Sequence, residues 1–114
     1  MFNENFWGET ISIYTDADAR EDGILMDVSA LGALFNGKAI NRVAVGAALA
    51  IGLKEREPAT VKNNLEFIAR NSTFDGEGFD AWGIFQPDAR IGNEKLWLVP
   101  NEVGGYTLLL PDEY

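Results

Sequence analysis

The chain contains neither cysteine nor histidine. Without cysteine it has no disulfide, no thiolate nucleophile and no cysteine-held metal. Without histidine it has no Ser-His-Asp triad, no imidazole ligand and no side chain that ordinarily titrates near neutral pH. The usual zinc sites are built from those two residue types, so zinc is not expected. Positive charge is scarce as well: nine Lys and Arg stand against eighteen Asp and Glu, a net charge of −9. Phosphate backbones are gripped by basic faces, so direct nucleic-acid binding is not expected either. The longest apolar run, "VAVGAALAIGL" at 43–53, is about half of what a membrane span needs. The opening "MFNENFWGE" has neither the basic start nor the apolar stretch of a signal peptide. These absences predict a cytoplasmic protein with no membrane segment, no cofactor and no metal.

A hydrophobic fraction of 46% over 114 residues is enough for one core, so the expectation is a single domain over 1–114. A chain of this size buries roughly two-thirds of the surface it exposes when unfolded. The charge is segregated. Residues 1–37 hold seven acids against one base, a balance of −6, and residues 71–114 hold eight against two, again −6. Between them, residues 38–70 hold six bases and three acids, a balance of +3. Such a surface is soluble, and it also steers basic partners toward the acidic ends.

Strand character is clearest in "TISIYT" at 10–15 and "ILMDVS" at 24–29, where Ile24, Met26 and Val28 share one face. Ser29 is placed to cap a short helix over "ALGALF", closed by the Asn36–Gly37 turn, and Asn41 to cap an apolar helix over 42–53. Pro58 opens the clearest helix, with Val61, Leu65 and Ile68 on one stripe. A short strand is expected at Trp82–Phe85. "KLWLV" at 95–99 and "YTLLL" at 106–110 read as a hairpin joined by "PNEVGG", the second strand apolar enough to be internal. The predicted class is α+β: a small, mostly antiparallel sheet with helices packed on one side.

The stretch "TDADAREDG" at 15–23 crowds four carboxylates before a glycine. A calcium loop needs oxygen ligands at alternate early positions, a glycine at the sixth and a glutamate at the twelfth. Starting the loop at Asp18 puts Arg20 on a ligand position and Ser29 at the end, and starting it at Asp16 puts Glu21 where the glycine belongs. Both registers fail. A capped helix uses every residue instead, with Thr15 or Asp16 as cap, acids in the first turn and Gly23 as the stop.

Taken with its flanks, "YTDADAREDGILMDVS" at 14–29 resembles the opening signature of a family of small proteins from bacteria, their plasmids and phages, to which no activity is assigned. The ending "YTLLLPDEY" at 106–114 is similar to the family's closing strand, with its Leu-Pro and acidic pair. The resemblance implies a bacterial or mobile-element origin and no particular chemistry.

In "STFDGEGFDAWGIF", Phe74, Phe79, Trp82 and Phe85 interleave with Asp75, Glu77 and Asp80. The aromatics either form a lid over the core or stand exposed as anchors in an acidic rim, the composition of a partner-binding surface. Carboxylates so close together rule out a phosphate loop at "GEGFDA". Asp75, Glu77, Phe79, Asp80 and Trp82 are therefore the candidate partner-binding residues. No catalytic, cofactor-binding or metal-ligating residue is nominated. The function expected is a non-catalytic acidic accessory protein that binds another protein, a basic nucleic-acid-handling one in the sharpest form. The alternative is a small-molecule binder or carboxylate-dependent enzyme with a pocket under residues 72–86.

Overall fold

The computed structural model of the protein describes residues 20, 23–53 and 56–114. The strand expected at 10–15 and most of the capped segment after it lie outside the described residues. At their border Arg20 is helical, and the Gly23 N–H donates to the Arg20 carbonyl at 3.1 Å. Gly23 has φ 75°, the left-handed conformation that ends a helix.

Among the described residues seven strands form one sheet: β1 (Leu25–Asp27), β2 (Leu34–Phe35), β3 (Lys38–Ala44), β4 (Thr73–Asp75), β5 (Trp82–Phe85), β6 (Leu96–Pro100) and β7 (Tyr106–Leu109). They lie in the order β1-β3-β7-β6-β5-β4, with β2 folded onto β3. Neighbours are antiparallel except β3 and β7, which run parallel. The α+β class holds, and the sheet is mixed rather than antiparallel throughout. Parallel neighbours need a crossover. Here it carries two helices, α1 (Val45–Ala50) and α2 (Pro58–Asn71), and then the three strands β4 to β6.

Both helices pack on one face of the sheet. Ala47 and Ile51 from the α1 region and Val61, Leu65 and Ile68 from α2 meet Ile40, Val43, Phe85, Leu96, Leu98, Tyr106 and Leu108. Pro58 does stand in the first turn of α2, and the Val61-Leu65-Ile68 stripe is its buried face. The opposite face gathers Ala44, Val99 and Leu109, with Leu25, Trp82 and Trp97 against them. All four residues of β7 are buried, as its apolar run predicts for an internal strand.

Two expected helices are corrected. Only Ser29–Leu31 makes a 3₁₀ turn; Gly32 follows with φ 75°, and Leu34–Phe35 is strand. Asn36 (φ 55°) and Gly37 (φ 78°) then form a two-residue turn that pairs Phe35 with Lys38. Positive φ at both turn residues matches the twist of a hairpin, so Asn-Gly joins strands here and does not end a helix. Likewise residues 42–44 are strand, and α1 begins only at Val45. Pairing with β1 on one side and β7 on the other overrides the weak helical preference of this stretch.

On β3 the register with β7 slips between Ile40 and Arg42, leaving Asn41 as an extra residue. The slip turns the Asn41 side chain toward the β6–β7 turn. There its Oδ1 accepts from Asn101 Nδ2 at 2.8 Å, and its Nδ2 donates to the Val103 carbonyl at 3.3 Å. Asn101 Oδ1 in turn accepts from the Val103 and Gly105 N–H groups, each at 3.0 Å. The turn expected at "PNEVGG" is thus built around one asparagine and tied to the neighbouring strand.

The first N–H groups of α1 have no partner within the helix. Glu113, from a 3₁₀ turn at Pro111–Glu113, supplies one. Its carboxylate accepts from the Gly46 N–H at 2.6 Å, the Ala47 N–H at 3.1 Å and the Leu110 N–H at 2.8 Å. A Cβ on residue 46 would lie 2.6 Å from the carboxylate oxygen, so glycine is what lets Glu113 approach.

Leu65 has no exposed surface. Leu65→Ala is expected to lower stability by about 2–5 kcal/mol. Urea denaturation measures it, and a variant as stable as the parent would place Leu65 off the core.

Asp27, on β1, accepts from the Ser29 hydroxyl at 2.6 Å and the Ser29 N–H at 2.9 Å, and it pairs with Arg42 at 3.2 Å. The two Ser29 bonds, then the Arg42 charge, hold its carboxyl below the ordinary value of 3.8. A carboxyl whose folded pKa is depressed adds stability above its unfolded pKa and loses it as the pH falls through the folded one. The stability gap between the parent and Asp27→Asn should therefore be full at neutral pH and close in acid, below the unfolded value of roughly 4. Thermal melts across that range test it; a gap unchanged by pH would mean that Asp27 carries no folded-state advantage.

Candidate functional site

The acidic-aromatic stretch folds as a hairpin. Thr73 pairs with Ile84, Phe74 with Gly83 and Asp75 with Trp82. Residues 76–81 connect the two strands, with a 3₁₀ turn at Gly78–Asp80. Gly76 (φ 100°) and Gly78 (φ 69°) occupy backbone conformations that side chains disfavour, which explains the "DGEG" spelling of the turn.

This tip is held by its carbonyl groups. Tyr106, fully buried at the start of β7, donates its hydroxyl to the Ala81 carbonyl at 2.6 Å. The same hydroxyl accepts from Asn36 Nδ2 at 2.9 Å, and that Nδ2 also donates to the Gly78 carbonyl at 2.9 Å. Lys38 Nζ donates to the Phe79 carbonyl at 3.1 Å. The turn residue Asn36, its neighbour Lys38 and the internal strand β7 therefore fix three carbonyls of a surface loop.

An aromatic row runs beneath. Phe35 packs edge-on against Tyr106, with ring centroids 4.9 Å apart, and stacks with Phe74 at 5.1 Å. Gly83 makes room for it, since a Cβ there would come within 2.7 Å of the Phe35 ring. Lys38 Nζ lies 5.8 Å from the Phe79 ring centre and 5.9 Å from that of Tyr106.

Against this support, Phe74 stays 59% exposed and Phe79 73% exposed. Asp75, Glu77 and Asp80 are exposed on the same hairpin, Asp75 on the face opposite Phe74, and none of the three is in an ion pair among the described residues. Trp82 behaves differently. It is half-buried on the opposite face of the sheet, 5.5 Å from the Trp97 ring and 4.9 Å from the Tyr114 ring. Four of the five nominated residues thus gather at the tip. Trp82 lies behind it, directly across from Asp75. Neither account of the aromatics holds for all of them: Phe85 is core, Trp82 is packed, and Phe74 and Phe79 are open.

Beneath residues 72–86 lie the rings of Phe35 and Tyr106, packed against Phe74 and bonded to the Ala81 carbonyl. A groove of about 260 Å³ opens elsewhere, lined by Met26, Val28, Ala30, Leu31, Leu53, Pro58 and Val61 together with the charged Asp27 and Arg56. Among the described residues no three carboxylates converge as a metal site. No helix of the described residues is long and apolar enough to cross a membrane. Comparison with protein-family models, curated proteins and solved structures gives no match.

Asn36, Lys38 and Tyr106 are the supporting residues that the sequence reading missed. Asn36 was hidden by the helical reading of 30–35, and Tyr106 by its place in an apolar strand. Replacing Tyr106 by Phe takes from the Ala81 carbonyl its hydroxyl donor and from the Asn36 amide one of its two acceptors, at a cost of about 1–3 kcal/mol. Amide exchange at Phe79, Asp80 and Ala81 should accelerate more than exchange in β6. Equal acceleration in both places would show that the hydroxyl stabilises the whole fold and not the tip.

Proposed function

We infer that the protein is a non-catalytic acidic interaction module that binds a basic protein partner through the tip of the β4–β5 hairpin. One observation carries this reading: two phenylalanine rings stand open to solvent on a hairpin tip with three exposed carboxylates that are in no ion pair among the described residues, and the backbone of the tip is held by the buried Tyr106 hydroxyl, the Asn36 amide and the Lys38 ammonium group. Aromatic anchors supply binding energy when they are desolvated, and surrounding charge supplies selectivity and association rate. Rigid support lowers the entropy lost on docking.

The charge balance disfavours a nucleic-acid backbone as the direct ligand, and it fits a protein rich in Lys and Arg. The resemblance of residues 14–29 and 106–114 to bacterial, plasmid and phage proteins supports such an origin, with a cytoplasmic address. In that setting a nucleic-acid-handling protein is the basic partner of choice. Trp82 belongs to the reading as a support behind Asp75 rather than as an anchor.

Substituting Asp75→Asn, Glu77→Gln and Asp80→Asn together should leave the melting temperature near that of the parent. Partners captured from bacterial lysate should associate more slowly with this variant, and the parent should lose them as salt rises, because exposed charges are screened over about 8 Å at physiological ionic strength. Partners indifferent both to salt and to the triple substitution would rule out the acidic tip.

A further inference from the structure

The β4 strand ends the sheet, and among the described residues nothing pairs with its outer side. In an antiparallel pair, residues that exchange both backbone bonds alternate with residues that exchange none. The β4–β5 ladder begins at Thr73 and Ile84 and ends at Asp75 and Trp82, so these are the bonded pairs. Phe74, between them, faces the side-chain-less Gly83 without bonding to it. Its N–H and C=O therefore point away from the sheet, at an edge where all three residues are exposed.

We propose that this edge accepts an extended segment of the partner as an added strand, bonded to the Phe74 backbone, with basic and apolar residues alternating along it. The proposal rests on the acidic-tip reading and specifies how the partner docks. Strand alternation sets the pattern. The residue that bonds with Phe74 places its side chain on the same face as the open Phe74 ring and is apolar. The next residue lies beside Asp75, its side chain on the Trp82 face, and is Lys or Arg. Glu77 and Asp80, just beyond the strand, extend the negative field along the segment's path.

Charge also selects among occupants. A second copy of this chain would bring its own Asp75, Glu77 and Asp80 to the same edge, with −9 on each molecule. Short, charged edges discourage self-pairing of this kind. A basic segment meets the same carboxylates as counter-charges, and it covers the Phe74 ring that the sheet leaves uncovered.

The probe is a capped peptide of alternating arginine and valine, compared with the same peptide carrying N-methyl groups on its valine amides. Methylation keeps the charge and removes the hydrogen-bond donors that strand addition needs. The unmodified peptide should bind in low salt and weaken as salt rises. The methylated one should bind at least tenfold more weakly, and hydrogen exchange at the Phe74 amide should slow at least tenfold only with the unmodified peptide. Equal binding of the two peptides, or an unprotected Phe74 amide in the complex, would overturn strand addition and leave the acidic tip standing. Failure of both peptides to bind in low salt would overturn the two together. Protection of the Phe74 amide that rises with protein concentration in the absence of peptide would replace the basic segment with a second copy of the chain.

Discussion

The hydroxyl of Tyr106 is where the interior of this protein controls its surface. The ring belongs to the core, beside Phe35 and at the start of a strand buried along its whole length. The oxygen at its far end reaches the Ala81 carbonyl and the Asn36 amide, and so binds two hairpins that are distant in sequence. A buried phenol must find partners or lose the energy of its water contacts. Here both partners are backbone or turn groups, so satisfying the phenol also positions a loop. The tip carries exposed aromatics without collapsing inward because its carbonyls are already held.

How far the sequence foretells this depends on whether local preference and tertiary pairing agree. They agree in α2, where Pro58, the Val61-Leu65-Ile68 stripe and the terminal Asn71 all point to one helix. They agree again in β6 and β7, whose apolar runs meet across a turn of asparagine and glycine. They disagree in 29–44. Small and apolar residues there look helical in isolation, but a two-residue Asn-Gly turn and strands on both flanks draw the chain into the sheet. The parallel neighbourhood of β3 and β7 could not be read from either segment alone, since nothing local records which strand lies beside which.

The site follows the same division. Interleaved acids and aromatics mark the tip, and Asp75, Glu77, Phe79 and Asp80 do come together there. Trp82 faces the other side of the sheet, with Asp75 directly across from it, because strand alternation and not composition decides which way a side chain points. Phe74 gains its importance from geometry: it is the one β4 residue that does not bond with β5. The scaffold of the tip, Asn36 and Lys38 from one hairpin and Tyr106 from the last strand, is assembled from segments far apart in the chain and left no contiguous mark.

The bonds from Glu113 to Gly46 and Ala47 span 67 and 66 positions of the chain. A ribosome delivers the small helix long before it delivers the carboxylate that completes it, and β3 waits equally long for β7. Until residues 106–113 emerge, the middle of this chain is a strand lacking β7 beside it and a helix with open amide groups. Contacts so distant in sequence slow folding, and unpaired strands invite association in the interval. A premature stop near residue 105 would thus spare the whole of β3 and the small helix but leave the nascent centre permanently in that unfinished condition.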